Sequence, residues 1–269
     1  MSPDRSQTVY AASAADLALR ALDVLRGVEG TAFVAEHVEC ADDPKAALAA
    51  IRYVGADIFA PHLLADAALS PEDAAAVAQS FAVFPPPVRT PEPPPAGAAE
   101  PWIAAWRDWA TAALLARLAG TEGDGLPAPQ PVGAPVLTDH ADDAAPGADS
   151  DGPETRASAV STPDTGWQHW SVRMGQLSPL ALPALDGPVH AAARAAPLAL
   201  ARGATRAMLR RDFPTAARIT RWLALLHAEG VRLPLDPLPL VEHLRLHGGG
   251  PRLALDVAIA RRLLGPEAP

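Results

Sequence analysis

The sequence predicts an all-α protein, and three observations carry that expectation. Helix starts are written out repeatedly, as Asp43-Pro44, Ser70-Pro71-Glu72-Asp73 and Asp236-Pro237, with proline in the first turn and glycines such as Gly27, Gly55, Gly230 and Gly265 closing the segments. A tryptophan stripe, Trp102, Trp106 and Trp109, recurs at i, i+4, i+7 in EPWIAAWRDWATAALLARLAG. From Gly166 onward, long apolar-striped segments are joined by short links, the pattern of antiparallel helical hairpins.

Taken in order, residues 1–84 read as an acidic unit of short helices. Ser13 followed by Asp16 gives a capping-type start for a helix closed by Gly27. Thr31–Glu39 fits neither the helix nor the strand period well and is assigned to helix. Residues 85–99 hold most of FPPPVRTPEPPPAG, which reads as a semi-rigid polyproline spacer. The Trp-bearing helix spans 100–119. Residues 120–165 hold nine acids, one arginine and almost no large apolar residue, so burial cannot offset the entropy of ordering and a disordered acidic insertion is expected. The bundle of 166–265 is read as helices at about 188–195, 197–211, 214–228, 237–247 and 251–264. The tryptophans flanking the insertion, with Trp167 and Trp170 beyond it, are expected to pack together and bring helix 100–119 onto the C-terminal bundle, with an aromatic groove as the alternative.

Composition excludes several chemistries. With 49% apolar residues the chain can bury a sizeable core. Cys40 is the single cysteine, which removes disulfide frameworks and thiolate-rich zinc sites and fits a reducing, cytoplasmic setting. No leader-type N-terminus is visible, and no run reaches the roughly 18 apolar residues of a spanning helix, so no membrane is expected. The 22 basic residues are 21 arginines and Lys45, the bias of a high-GC bacterial genome. No glycine-rich loop precedes Lys45, which removes a phosphate-binding loop and leaves little basis for lysine chemistry.

Charge is divided unevenly. Residues 1–165 carry 24 acids against 9 bases, and residues 166–269 carry 13 bases against 7 acids. In the basic half Arg202, Arg206 and Arg210 recur at i, i+4, i+8 beside Arg218 and Arg221, and this set is the expected partner-binding surface. Nucleic acid is the weaker reading of the stripe, because lysines and interleaved aromatics are missing.

The stretch most suggestive of chemistry is VEHLRLHGGG, residues 241–250. His243 and His247, one turn apart, can face a single divalent ion, but Glu242 points about 100° away and no third ligand follows from the spacing. A histidine in the last turn followed by glycine is also an ordinary helix end, which accounts for His247, Gly248 and Pro251 together and is preferred. HGGG resembles an esterase oxyanion loop only superficially, since no serine sits in a G-x-S-x-G elbow. EHVEC, residues 36–40, places Glu36, His37, Glu39 and Cys40 together, and a Cys40–His37 catalytic pair competes there with a plain buried cysteine. The expected function is therefore a non-catalytic accessory or adaptor protein that needs no cofactor and binds another protein or peptide, such as a biosynthetic enzyme or its substrate. A metal-dependent enzyme using His243 and His247 is the alternative, and a nucleic-acid binder the third reading.

Overall fold

The computed structural model describes residues 3–28, 30, 32–87, 89–121, 127–137, 166–247 and 249–265, and every regular element among them is a helix. The N-terminal half contains α1 (Pro3–Leu25), α2 (Phe33–Glu39), α3 (Pro44–Val54), α4 (Ala60–Leu64) and α5 (Pro71–Val83), with a 3-10 turn at Gly55–Phe59 between α3 and α4. The long α6 (Ala99–Ala119) follows the Pro-rich stretch. Then come α7 (Gly166–Gln176), a 3-10 turn at Ser178–Leu180, α8 (Pro188–Ala195), α9 (Pro197–Leu209), α10 (Phe213–Ala228), α11 (Pro237–Arg245) and α12 (Gly250–Leu263).

The anticipated starts are made by the residues that announced them. Asp43 accepts from the N–H groups of Lys45 and Ala46 at 3.0 and 3.1 Å, Ser70 from Asp73 at 3.0 Å, and Asp236 from Leu238 at 3.0 Å, satisfying amides that have no partner within the helix. Gly55 ends α3 at φ +67°, a conformation costly for any residue with a Cβ. One start is misread: α1 begins near Pro3, so Ser13 and Asp16 lie inside it rather than at its cap. No turn-forming residue interrupts 3–25, and Ala14, Leu17, Ala18, Ala21, Leu22 and Leu25 form one continuous buried stripe.

α10 is the centre of the C-terminal half, packed by α7, α9, α11 and α12. Small residues permit the close approaches. A Cβ on Gly203 of α9 would sit 2.4 Å from the Ser171 Cβ of α7, so only glycine fits that crossing. α1 lies against both α3 and α12, and α6 lies against the 3-10 turns at 55–59 and 178–180, so the two halves of the sequence share their packing. Among the described residues one run, 44–64, is long and apolar enough, at mean hydropathy 1.2, to cross a membrane by length and composition alone. It is folded as α3, a 3-10 turn and α4, with 67% of it buried inside the protein.

The tryptophans explain a second correction. Trp102, Trp106 and Trp109 stack edge to face along α6, with centroids 6.3 and 5.3 Å apart, and Trp102, Trp106 and Trp170 are almost wholly buried while Trp167 is partly so. Their indole N–H groups need acceptors. Trp102 Nε1 donates to the Val132 carbonyl at 3.0 Å and Trp170 Nε1 to the Pro135 carbonyl at 2.9 Å. Residues 127–137, read from composition as part of the disordered insertion, are thus an extended strap held by two buried tryptophans, with Ala128 in the core. The rest of the expected insertion, 122–126 and 138–165, lies outside the described residues.

A buried ion network joins the halves. Arg221 of α10, fully buried, grips Asp57 of the first 3-10 turn with Nη2–Oδ1 at 2.6 Å and Nη1–Oδ2 at 2.9 Å, and reaches Asp256 of α12 at 2.8 Å. Arg252 of α12 closes the square, bonding Asp57 and lying 3.3 Å from Asp256. Burial by itself would raise the Asp57 carboxyl, but the charges of Arg221 and Arg252 override it and hold Asp57 below the ordinary carboxylate range. Arg221→Met therefore leaves Asp57 served only by Arg252, and Asp256 by Arg252 and the more distant Arg218. It should lower the free energy of unfolding by about 3–5 kcal/mol, read as a fall in urea midpoint.

Candidate functional site

A groove of about 950 Å³ lies between the C-terminal end of α1, α4, α11 and α12. Its floor is apolar: Leu25 from α1, Leu64 from α4, Leu244 from α11, and Leu253 and Val257 from α12. These side chains come together because α1 and α11 both pack on α12. The rim is basic, with Arg26, Arg245, Arg261 and Arg262 around one carboxylate, Glu242. Glu242 is shared by Arg245 at 3.0 Å and by Arg261, while Arg262 donates to the Leu25 carbonyl at 2.7 Å and so terminates α1. Four guanidiniums against one carboxylate leave the rim strongly positive, on a chain whose net charge is −9.

His247 lines one end of this groove, which gives VEHLRLHGGG its place in the fold. Its Nδ1 donates to the His243 carbonyl at 2.9 Å, so the imidazole satisfies a carbonyl at the end of α11. Its ring also packs at 4.0 Å on Phe213 and 4.6 Å on His243, centroid to centroid. Among the described residues no group of three or more His, Cys, Asp or Glu side chains gathers at this pair or elsewhere.

The arginine set divides. Arg202 on α9 and Arg210 at its C-terminal cap are exposed, and Arg206 is half-buried. Arg218 is partly turned toward Asp256, with Nε 3.8 Å from Oδ2. Arg221 is fully buried in the ion network, which corrects its assignment to a partner surface. Spacing alone could not separate it from its neighbours, because the carboxylates that draw it inward lie 164 and 35 residues away.

One arrangement is absent from the sequence reading. His37 of α2, 4% exposed, has Nδ1 3.0 Å from Asp16 Oδ2 and Nε2 3.1 Å from Ser13 Oγ. A carboxylate only accepts, so Nδ1 carries the proton, and Nε2 then accepts from the serine hydroxyl. This is the connectivity of a serine hydrolase relay, and the clue was visible as Ser13 and Asp16 one turn apart. The remaining parts of such a site are not there. Ser13 lies deep inside α1, where backbone N–H groups are taken by the helix and none is left to hold an oxyanion. Asp16 is half exposed, and neither the groove nor the smaller cavity treated below borders Ser13. The trio is a clasp that fixes α2 on α1. Because both ring nitrogens of His37 are engaged, the Cys40–His37 pair considered from sequence does not form, and Cys40 is exposed.

Asp73 of α5 holds the other side of α2, accepting from the Val34 and Ala35 N–H groups at 2.9 and 2.7 Å. No known protein family, curated protein or solved structure matches the chain.

Two predictions follow from this geometry. An active-site-directed fluorophosphonate should leave Ser13 unlabelled, as read by intact mass; stoichiometric labelling lost in Ser13→Ala would mean the clasp is a working relay. The second concerns pH. Burial lowers the pKa of His37, His62 and His190 below the ordinary 6.5, against the pull of Asp16 and of the Ala67 and Leu180 carbonyls. A lowered histidine contributes stability that is full above pH 6.5 and is lost as pH falls below it, since the unfolded chain takes the proton first. Asp73 acts oppositely: burial pushes its carboxyl up to about 6, so its penalty is full above that value and fades as pH falls toward 3.8. With three histidines against two carboxyls, since burial raises Asp108 as well as Asp73, the urea midpoint should fall between pH 7.5 and 5.5, and His190→Gln should make that decline shallower.

Proposed function

We propose that this chain is a non-catalytic accessory protein whose groove between α1, α4, α11 and α12 receives an acidic, amphipathic segment of a partner protein. The observation that carries the reading is the combination in one concavity of an apolar floor with four arginines around one carboxylate. An amphipathic segment can lay its apolar face on Leu64, Leu244, Leu253 and Val257 while its acids meet Arg26, Arg245 and Arg262. Arg26 is exposed and has no carboxylate partner among the described residues, so it adds charge without being committed inside the fold. The location of the groove beside the His247 helix end, rather than on the α9 arginine stripe, moves the expected binding surface from Arg202, Arg206 and Arg210 to α11 and α12.

The test is photo-crosslinking in the native cell, with the photoreactive residue placed at Ala254 in the groove or, for comparison, at Arg206 on α9. The expected outcome is one protein captured from Ala254 only, reduced by about tenfold or more when Arg26 and Arg245 are reversed to glutamate. Capture from both positions alike, or capture unaffected by the charge reversal, would remove the groove from the interaction.

A further inference from the structure

A second recess, of about 280 Å³, lies between α3, α6, α10, α12 and the 3-10 turn at 178–180, away from the groove. Three guanidiniums reach it from three helices: Arg107 of α6, Arg218 of α10 and Arg252 of α12. Tyr53 and Ser178 complete the wall, and Glu100 stands exposed at its mouth. We propose that this recess binds a small phosphate-bearing ligand, with Arg107 and Arg218 as its principal contacts.

Charge balance carries the assignment. The nearest buried carboxylates, Asp57 and Asp256, are already matched by Arg221 and Arg252, and Asp108 is held by Arg52 at 2.7 Å. Arg107 has no carboxylate partner among the described residues. Its Nη2 donates to the Tyr53 carbonyl at 2.5 Å, and its Nε is sealed from solvent with no acceptor at all. Arg218 has only Asp256, at 3.8 Å, and Asp256 is shared with two other arginines. Counting Glu100 at the mouth, the recess still holds one positive charge more than its carboxylates neutralise, and neither Arg107 nor Arg218 has a carboxylate of its own. Burial, then the neighbouring charge of Arg252, disfavours the protonated form of Arg107, and the Tyr53 carbonyl is the one acceptor its side chain meets among the described residues.

The other groups agree. Ser178 is 1% exposed and its Oγ has no hydrogen-bond partner, a rare condition for a buried hydroxyl unless something else completes it. A guanidinium presents five donors in a fixed plane that matches the oxygens of a phosphate, and a phosphate has oxygens enough to meet Arg107 and Arg218 together where a carboxylate has only two. The recess volume sets the scale as a phosphate with a small organic body, and the acidic Glu100 at the mouth requires that body to be uncharged or cationic where it emerges.

The experiment is calorimetric titration of the full-length protein at low salt and pH 7.5, with inorganic phosphate as the probe and acetate as the monoanionic comparison. Phosphate is expected to bind at one site and to raise the melting temperature, with acetate much weaker. Arg107→Met and Arg218→Gln should each weaken phosphate by about tenfold or more, the loss of a charge-assisted hydrogen bond, while Arg117→Gln at the exposed end of α6 leaves it unchanged. Because the half-buried Arg107 guanidinium has no carboxylate partner and a sealed, unsatisfied Nε, the Arg107→Met protein without phosphate should melt at or above the wild-type temperature, which separates loss of a ligand contact from loss of the fold. No phosphate binding, acetate binding as tightly as phosphate, equal binding by Arg107→Met, or an Arg107→Met protein that melts well below wild type would each overturn the assignment.

Discussion

The structure depends on four charges, three of them fully buried and the fourth, Arg252, at the edge of the recess. Asp57, Arg221, Arg252 and Asp256 come from a 3-10 turn, α10 and α12, and the Arg221–Asp57 contact spans 164 residues of sequence. Removing such groups from water costs several kcal/mol each, recovered only if every charge finds its complement in good geometry. The bidentate grip of Arg221 on Asp57 and the bridging position of Asp256 supply that geometry, and they do so in one relative placement of the N-terminal and C-terminal helices. Apolar burial is non-directional, whereas a buried ionic square is satisfied only where donors and acceptors meet in the right geometry. The network thus fixes where α12 lies against the first half of the chain, and both concavities are bounded by α12.

The same placement explains how an alanine-rich chain with few aromatics holds together. Short side chains allow close crossings, as at Gly203 against Ser171, while the bulk comes from a few large residues at the seams. Trp102 and Trp106 fill the space beneath α6, Trp222 lies at the centre of α10 with its Nε1 on the Met174 carbonyl at 2.7 Å, and Trp170 anchors the strap. Trp102, Trp170 and Trp222 satisfy their indole N–H on backbone from another segment, so these three act as pins between segments as well as core filler.

On this frame the two concavities differ in kind. The groove is wide, floored with leucine and valine and rimmed with arginine, a shape suited to a chain segment laid along it. The recess is smaller and lined by cations that the fold leaves unmatched. The proposed partner segment and the proposed phosphate thus engage different faces of α12. The clasp of His37 is the counterexample to reading function from side-chain connectivity alone: a hydroxyl, an imidazole and a carboxylate in series serve there to hold two helices, because the amides that would stabilise a reaction are committed to the helix.

The local grammar of the chain was legible from the start. Asp43, Ser70 and Asp236 cap as their positions announce, Gly55 closes its helix, and the helices of the C-terminal half fall within a few residues of where their apolar periods place them. These features depend on residues within a turn or two of one another, so spacing carries them. The burial of Arg221, the engagement of Ser13 and Asp16 by His37, the strap at 127–137 and the surplus of guanidiniums at Arg107 and Arg218 were decided only by tertiary structure. An arginine on a helix is surface or core according to whether a distant carboxylate meets it, and a low-apolar segment is ordered if buried indoles need its carbonyls. The identities of the residues were in the sequence, but which of them are neutralised, and which are left with charge to offer, follows from partners tens to hundreds of residues away.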